Sequence, residues 1–439
     1  MSSLKASNML TSLSEKISPE YQISSVLSKY QERAFLFENV IGSPYRAAGN
    51  LLSTRENVEL GLGIEKGKLL ESIEGAIRHP TPKGHVSGFK RSEWAFSGEA
   101  DLSKLPILKH FEKEAGKYLT AGIVAARFPG TDLENLSFHR MLVLSKNKVA
   151  ARIVPRHLNQ IANDSGGRVP LSLVIGPPPE VFVAASLQVQ YGLSEYEIAN
   201  SLSGGSLKLV SSEINGISVP LDSEIIIEGF IDFHELAEEG PFVDLTGTYD
   251  EVRKQPVITF ERMYCASDAV YQAVVASTRE HSLFMSLPQE LKIRDVLSKA
   301  IPKIRGINLT PAGSGYFHCI VSIEKSTDGD GKTAILNCFA ASHPLKLVIA
   351  VDSDIDPFDL AAVEWALSTR FQAATGVVQI NGARGSSLDP SSAKSGVTSK
   401  IGLDATLPVN LDKKKFERAK IPHDQETRII LDNIHRQLN

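Results

Sequence analysis

The sequence predicts a multi-domain α/β protein whose middle portion is a strand-rich open barrel. At 439 residues the chain is too long for one ordinary core, so two or three domains are expected. Helical and strand-like patterns alternate over residues 1–115 and again over 296–439, the signature of α/β packing. Between them, over 116–295, β-rich runs dominate and only short helices interrupt them.

The first segment is expected to begin with weakly amphipathic helices. AFLFENV at 34–40 follows as a compact apolar strand, and a Gly/Pro turn leads into a helix within NLLSTRENVELGLG. In the middle segment, RMLVLSKNKVAARIV reads as a hairpin around Ser-Lys-Asn-Lys. PLSLVIG at 170–176 and SEIIIEGFIDF at 223–233 read as buried strands. PEVFVAASLQV and SEYEIANSL read as helices, the second capped by Ser194. In the last segment YFHCIVSIEK, AILNCFAA and LKLVIAV are expected as strands. DPFDLAAVEWALSTRF is expected as a helix with Asp356 as cap and Pro357 in its first turn. HDQETRIILDNIHRQLN is expected as a terminal amphipathic helix that docks on another domain or subunit.

Composition excludes several classes. Hydrophobic residues make up 42% and charged residues 22%, with a formal net charge of −4, which is ordinary for a globular protein and gives no basic field for nucleic acid. The three cysteines lack a C-x-x-C spacing, so buried reduced thiols are expected. The start has no apolar stretch suited to a signal peptide, and no run is long enough for a membrane span. A cytoplasmic protein without membrane or nucleic-acid partners is expected.

Two groups of polar residues carry candidate chemistry. Glu239 and Asp244 flank Gly-Pro-Phe, so the chain must turn between them and both can face one cavity. Two neighbouring carboxylates cannot both ionise cheaply in a water-poor site, and one then serves as a general acid, titrating as part of the pair. Arg140 supplies a counter-charge able to grip a substrate carboxylate bidentately. The same acids also fit a solvated loop, and spacing does not choose between these readings. Asn135, His157 and Glu195 offer mixed oxygen and nitrogen chemistry suited to Mn²⁺ or Mg²⁺ rather than structural zinc. They are far apart in the chain, so three unrelated polar residues is the other reading. DGDG at 328–331 is read as a hairpin turn, not a calcium loop.

Taken in order, NLSFHRMLVLSKNKVAARIVPRH, LVIGPPPEVFVAAS, LSEYE, EIIIEGFIDFHELAEEGPFVDLTGTY and SGVTSKIGLDAT at 395–406 resemble the motifs of the UbiD family of prenylated-flavin-dependent decarboxylases. The resemblance runs over about residues 34–410. It implies an N-terminal α/β domain (1–115), a central split β-barrel of flavin-reductase type (116–295) and a C-terminal α/β domain (296–439). It also implies prenylated FMN as cofactor, with Asn135, His157 and Glu195 holding Mn²⁺ (or Mg²⁺) against the flavin phosphate and K⁺ nearby. Phe138, His139, Arg140, Arg152, Ile153, Val154, Arg156 and Ser186 would line the flavin, and Lys400 would neutralise its phosphate. Arg140, Glu239 and Asp244 would be catalytic, with Asp244 the proton donor. A homodimer or homohexamer, and a flavin prenyltransferase as cofactor supplier, are implied in the same way.

His139 stands where many relatives carry Tyr, and Val243 where they carry Gly. With Arg152 and Arg156, His139 is expected to make this side of the site cationic. FHR with RIVPRH resembles the archaeal branch of the family that acts on trans-anhydromevalonate 5-phosphate in the modified mevalonate pathway, an α,β-unsaturated acid with a terminal phosphate. A decarboxylase of 4-hydroxybenzoate-type acids in quinone synthesis is the nearest alternative and would need an aromatic slot. A flavin reductase would bind NAD(P)H without paired acids, and a non-catalytic flavin-binding protein would tolerate loss of Glu239 and Asp244.

Overall fold

A computed structural model of the protein describes residues 1–438 except 85, 394, 395, 420 and 423. Of the expected C-terminal signature, Ser395 lies outside the described residues. The chain builds three principal sheets. The first has four strands in the order Leu10–Ile17, Ala34–Val40, Arg46–Gly49, Val270–Ala273. Leu10–Ile17 was expected to be helical. It pairs in parallel with Ala34–Val40 instead, through the crossover helix Gln22–Lys29, and that tertiary pairing overrides a weak local helical pattern.

The second sheet has nine strands and is antiparallel throughout. Its long central pair is Ile225–Glu239 and Arg253–Cys265; Ile225–Glu239 and its other neighbour Arg168–Ile175 are the buried strands the apolar runs predict, whereas Arg253–Cys265 was not foreseen. The expected hairpin forms from Met141–Val143 and Lys148–Ala151. The order ends with Tyr118–Leu119 and Met141–Val143 on one side and Ile123–Arg127 and Glu134–Phe138 on the other. Residues 138–141 therefore carry the chain from one end of this curved half-barrel to the other. His139 and Arg140 sit in that crossing, at the mouth of the sheet. The helices Pro179–Ser186 and Glu195–Leu202 form as expected, the latter capped by the Ser194 hydroxyl, which accepts from the Tyr196 N–H.

The third sheet orders Ile304–Leu309, His318–Ile323, Leu347–Asp352, Val397–Ala405, Val377–Arg384. AILNCFAA, expected as a strand, lies in the helix Asp330–Ala341. A short apolar run has no periodicity that separates a buried strand from a buried helix. DGDG is likewise the approach to that helix and not a hairpin turn: the Asp330 carboxylate accepts from the Ser326 and Thr327 N–H groups. The helix Leu360–Thr369 starts later than expected, with Asp359 as its cap, accepting from the Ala362 N–H. Cys265, Cys319 and Cys338 are buried free thiols. No helix among the described residues is long and apolar enough to cross a membrane.

A 20-residue helix, Arg279–Ser298, joins these layers. Its buried Glu280 accepts from the Leu52 N–H at 2.7 Å. Buried Glu290 pairs with Arg55 on one side and accepts from the Leu309 N–H on the other. Gln289 accepts from the Ser342 hydroxyl.

Candidate functional site

The mouth of the half-barrel gathers one guanidinium and three carboxylates. Glu239 ends the long strand Ile225–Glu239, and the chain then enters a tight hairpin in which Phe242 faces Asp250 and Val243 faces Tyr249. The turn closes with the Asp244 N–H on the Thr248 carbonyl and Gly247 at φ +75°, a left-handed conformation that glycine adopts without strain. This return brings Asp250 back beside Asp244. Arg140 donates from Nε and Nη2 to the two oxygens of Glu239 at 2.9 and 3.0 Å. Its Nη1 meets Asp244 at 2.5 Å and its Nη2 meets Asp250 at 2.8 Å.

Glu239 is wholly buried and Arg140 nearly so, so these charge-assisted bonds act in a poorly solvated setting. They hold the guanidinium protonated well beyond its ordinary range, against desolvation. Asp250 is also held below the usual carboxylate range: burial raises it, but hydrogen bonds from Arg253 and Arg140 win. Phe242 packs beneath the guanidinium, 4.9 Å from its ring centre.

Two expectations change here. Arg140 stands between Glu239 and Asp244, so these are not a bare carboxylate pair. Both edges of its fork are also engaged, leaving one of five N–H groups without a partner. A bidentate grip on a further carboxylate is not open to Arg140 in this arrangement.

Asn135, His157 and Glu195 do converge. Asn135 lies on the strand Glu134–Phe138, while His157 and Glu195 each open a helix. Ser194 ties the second helix to that strand by donating to the Glu134 carbonyl at 3.1 Å. The Asn135 amide nitrogen is 3.1 Å from Glu195 Oε1 and 3.5 Å from His157 Nδ1. The other Glu195 oxygen accepts from the Leu136 N–H. Two observations show that these residues suit a cation. The buried Asn135 amide oxygen has no partner. Glu195 is buried with no ion-pair partner among the described residues, and desolvation pushes it up to about 7. The set contains only two residues of the His/Cys/Asp/Glu types, and the described residues hold no cluster of three such groups arranged for a metal ion; the third donor here is an amide.

The remaining expected residues scatter around this centre. Desolvation drives His139 down to about 4. It is held between the Ser137 hydroxyl at 2.9 Å and the Arg152 carbonyl at 3.2 Å. It is therefore neutral near pH 7, so the cationic character expected of this side rests on Arg152 and Arg156 alone. Arg152 has no carboxylate partner among the described residues; burial, then Arg253 and Arg140, lower its pKa. Phe138 packs on Phe182, Ile153 points into the main core, and Val154 and Arg156 are exposed. Ser186 bonds within its own helix, to the Val183 carbonyl. Lys400, on the C-terminal sheet, donates to the His343 and Leu345 carbonyls at 2.7 and 2.9 Å, and desolvation lowers it to about 8.

Sequence reasoning missed four residues. Asp250 is one; it is the acid immediately after the motif that ends at Tyr249. Tyr118 donates to Glu239 at 3.2 Å and accepts from the Gly240 N–H. His281 accepts from the Ser277 N–H and feels the charges of Asp244 and Arg140. Tyr316 of the C-terminal region feels both Arg156 and Asp244. The last three come from distant segments and had no local motif.

Comparison with known proteins is extensive. Residues 1–77, 87–279 and 282–405 match, in turn, the N-terminal domain, the Rift-related domain and the C-terminal domain of UbiD, the 3-octaprenyl-4-hydroxybenzoate carboxy-lyase family. The anhydromevalonate phosphate decarboxylase of Methanosarcina mazei is 40% identical over 427 residues, covering 96% of this chain and 98% of the relative. The UbiD-class enzyme HmfF from Pelotomaculum thermopropionicum, solved with FMN, superposes with a TM-score of 0.91 at 33% identity, covering 95% and 96% of the two chains. An evolved dimeric form of HmfF, solved with prFMN, gives 0.87 at 29% identity, covering 95% of each.

Proposed function

Because this chain belongs to the UbiD family, we propose that it is a prenylated-FMN-dependent carboxy-lyase that decarboxylates an α,β-unsaturated acid without net oxidation. The substrate in this reading is trans-anhydromevalonate 5-phosphate and the product isopentenyl phosphate. The observation that carries the chemistry is the buried Arg140 clamped by Glu239, Asp244 and Asp250 at the mouth of the half-barrel. The choice of acid rests on the name of the Methanosarcina relative and its near full-length match.

The orphaned Asn135 oxygen and the uncompensated Glu195 fit a divalent cation. These two with His157 would hold Mn²⁺ or Mg²⁺, with K⁺ nearby. Phe138, His139, Arg152, Ile153, Val154, Arg156, Ser186 and Lys400 would surround the flavin. When bound, prenylated FMN supplies the electron sink for the pair released as CO₂ departs. The protein's part is positioning and proton delivery. Arg152, a guanidinium without a carboxylate partner among the described residues, is available to the acid group of the substrate. Arg140 acts as a counter-ion that fixes the carboxylates. The bond from carbon to the carboxyl group breaks, CO₂ leaves, and the carbon that carried it takes a proton from Asp244. Asp244 is the most exposed of the three acids, at 20%, with one oxygen on Arg140 and the other on the Leu245 N–H. Neutral His139 contributes shape and hydrogen bonding without charge.

The same reading takes residues 1–115, 116–295 and 296–439 as three domains, and the nine-stranded sheet as a split barrel of flavin-reductase type. Its antiparallel order with open ends supports that. A homodimer or homohexamer and a flavin prenyltransferase supplying the cofactor complete the proposal. The test is CO₂ release after reconstitution with prenylated FMN and Mn²⁺, comparing the phosphorylated enoic acid with 4-hydroxybenzoate. Turnover of the former alone is expected. Turnover of the aromatic acid alone, or of neither, overturns the reading.

A further inference from the structure

A substrate with a carboxylate at one end and a phosphate at the other needs two anion sites. Under the proposed function, the carboxylate end is met by Arg152. On the C-terminal region, between the helix Asp330–Ala341 and the sheet, lies an open groove of about 320 Å³. It is lined by apolar Phe339 and Ile380 and by the basic residues His343, Arg384 and Lys400.

Two further cations come within electrostatic reach of His343 from other parts of the chain: Arg156, the residue before the helix His157–Asp164, and Lys292, on the long helix Arg279–Ser298. His343 feels all four charges, and Arg384, Lys400, Lys292 and Arg156 each add to the desolvation that lowers its pKa. Lys292 is lowered in the same way, by partial desolvation of its amine and by Arg156. The acceptors around them are neutral. Lys292 donates to the Gln188 amide at 2.5 Å and Lys400 to two backbone carbonyls, while Arg156 and Arg384 have no carboxylate partner among the described residues.

Gathering like charges without counter-ions is unfavourable in the free protein and favours a multiply charged anion. Tyr316 links this ring to the chemistry: its hydroxyl lies within electrostatic reach of both Arg156 and Asp244.

Building on the function proposed above, we propose that Arg156, Lys292, His343 and Arg384 form the recognition site for the terminal phosphomonoester of the substrate. Lys400, with two of its three N–H groups already on carbonyls, is left to the flavin phosphate. The flavin also carries a phosphomonoester, so the experiment must separate the two sources.

The variants Lys292→Ala, His343→Ala and Arg384→Ala are compared with the wild type as holoenzymes, using the phosphorylated acid as substrate and inorganic phosphate as a competing ligand. Lys292 is exposed, so its replacement tests the site even if another variant fails to fold. We expect KM and the inhibition constant for inorganic phosphate to rise about tenfold or more per variant, consistent with loss of a charge-assisted contact. Values of kcat and flavin content should change little. Unchanged KM in an active Lys292→Ala enzyme overturns the site while leaving the decarboxylase reading intact. Loss of flavin at unchanged KM assigns the ring to the cofactor and also overturns it. A wild type that converts no phosphorylated acid removes both.

Discussion

Asp244 and Asp250 make nearly equivalent contacts to Arg140, at 2.5 and 2.8 Å, yet the proposed chemistry gives them different work. Replacing each by Asn separates holding from proton delivery. An Asn oxygen still accepts one hydrogen bond but carries no charge and no transferable proton. Asp250 also accepts from Arg253 at 2.7 Å, and Arg140 keeps Glu239 and Asp244. Asp250→Asn therefore exchanges charged for neutral acceptors, a loss of about 1–2 kcal/mol. If all of it reaches the transition state, kcat/KM falls roughly 5- to 30-fold. Asp244→Asn loses the proton donor itself and should drop kcat by about 10²–10⁴. The assay is CO₂ release at saturating substrate, with flavin absorbance and Mn²⁺ content confirming that both variants are equally loaded. Equal losses in the two variants, or retained turnover in Asp244→Asn, refute the division of labour.

Three other outcomes test different parts of the molecule. Burial raises Glu280 from 4.5 to about 7, so the folded state resists its ionisation. The wild type should lose stability as pH rises from about 4.5 to about 7 and lose no more from this group above that. At about 1.4 kcal/mol per unit the full effect is about 3 kcal/mol. Glu280→Gln should flatten this segment of a Tm-against-pH curve, and an unchanged slope would show that Glu280 does not titrate as described. At Gly229 an added Cβ would stand 2.1 Å from the Thr259 carbonyl and 2.8 Å from Phe260 Cα. Gly229→Ala should thus cost about 3 kcal/mol by overpacking, read from the denaturant midpoint; a change below half a kcal/mol would contradict the close approach. Glu195→Ala, or chelation of the wild type, should release metal and flavin together on gel filtration while circular dichroism is unchanged. Retention of flavin without metal would count against the Asn135, His157 and Glu195 site.

Legibility followed the range of the interactions involved. Elements fixed by local signals were readable: Ala34–Val40 from its apolar run, the 141–151 hairpin from its flanking strands, and Glu195–Leu202 from its Ser194 cap. The strand Leu10–Ile17 was not, because parallel pairing with Ala34–Val40 decides it. The helix Asp330–Ala341 was not, because the apolar stretch within it carries no decisive period. The candidate site divides in the same way. Asn135, His157, Glu195, Arg140, Glu239 and Asp244 were assembled through resemblance to a family and not by spacing, and the structure brings them into two groups. Asp250 escaped notice since its role depends on the hairpin return that sets it opposite Phe242. Arg384, His343 and Lys292 escaped because each is an ordinary surface residue until the fold sets them around one groove.

The Arg279–Ser298 helix has a mechanical consequence. Glu290 is engaged at once by Arg55 and by the Leu309 amide, and Glu280 grips the backbone at Leu52. The segment carrying Leu52 and Arg55 and the C-terminal strand Ile304–Leu309 thus hang from a single beam. Any shift of that segment against the C-terminal sheet must hinge on the helix or snap an acid anchor that water cannot readily replace.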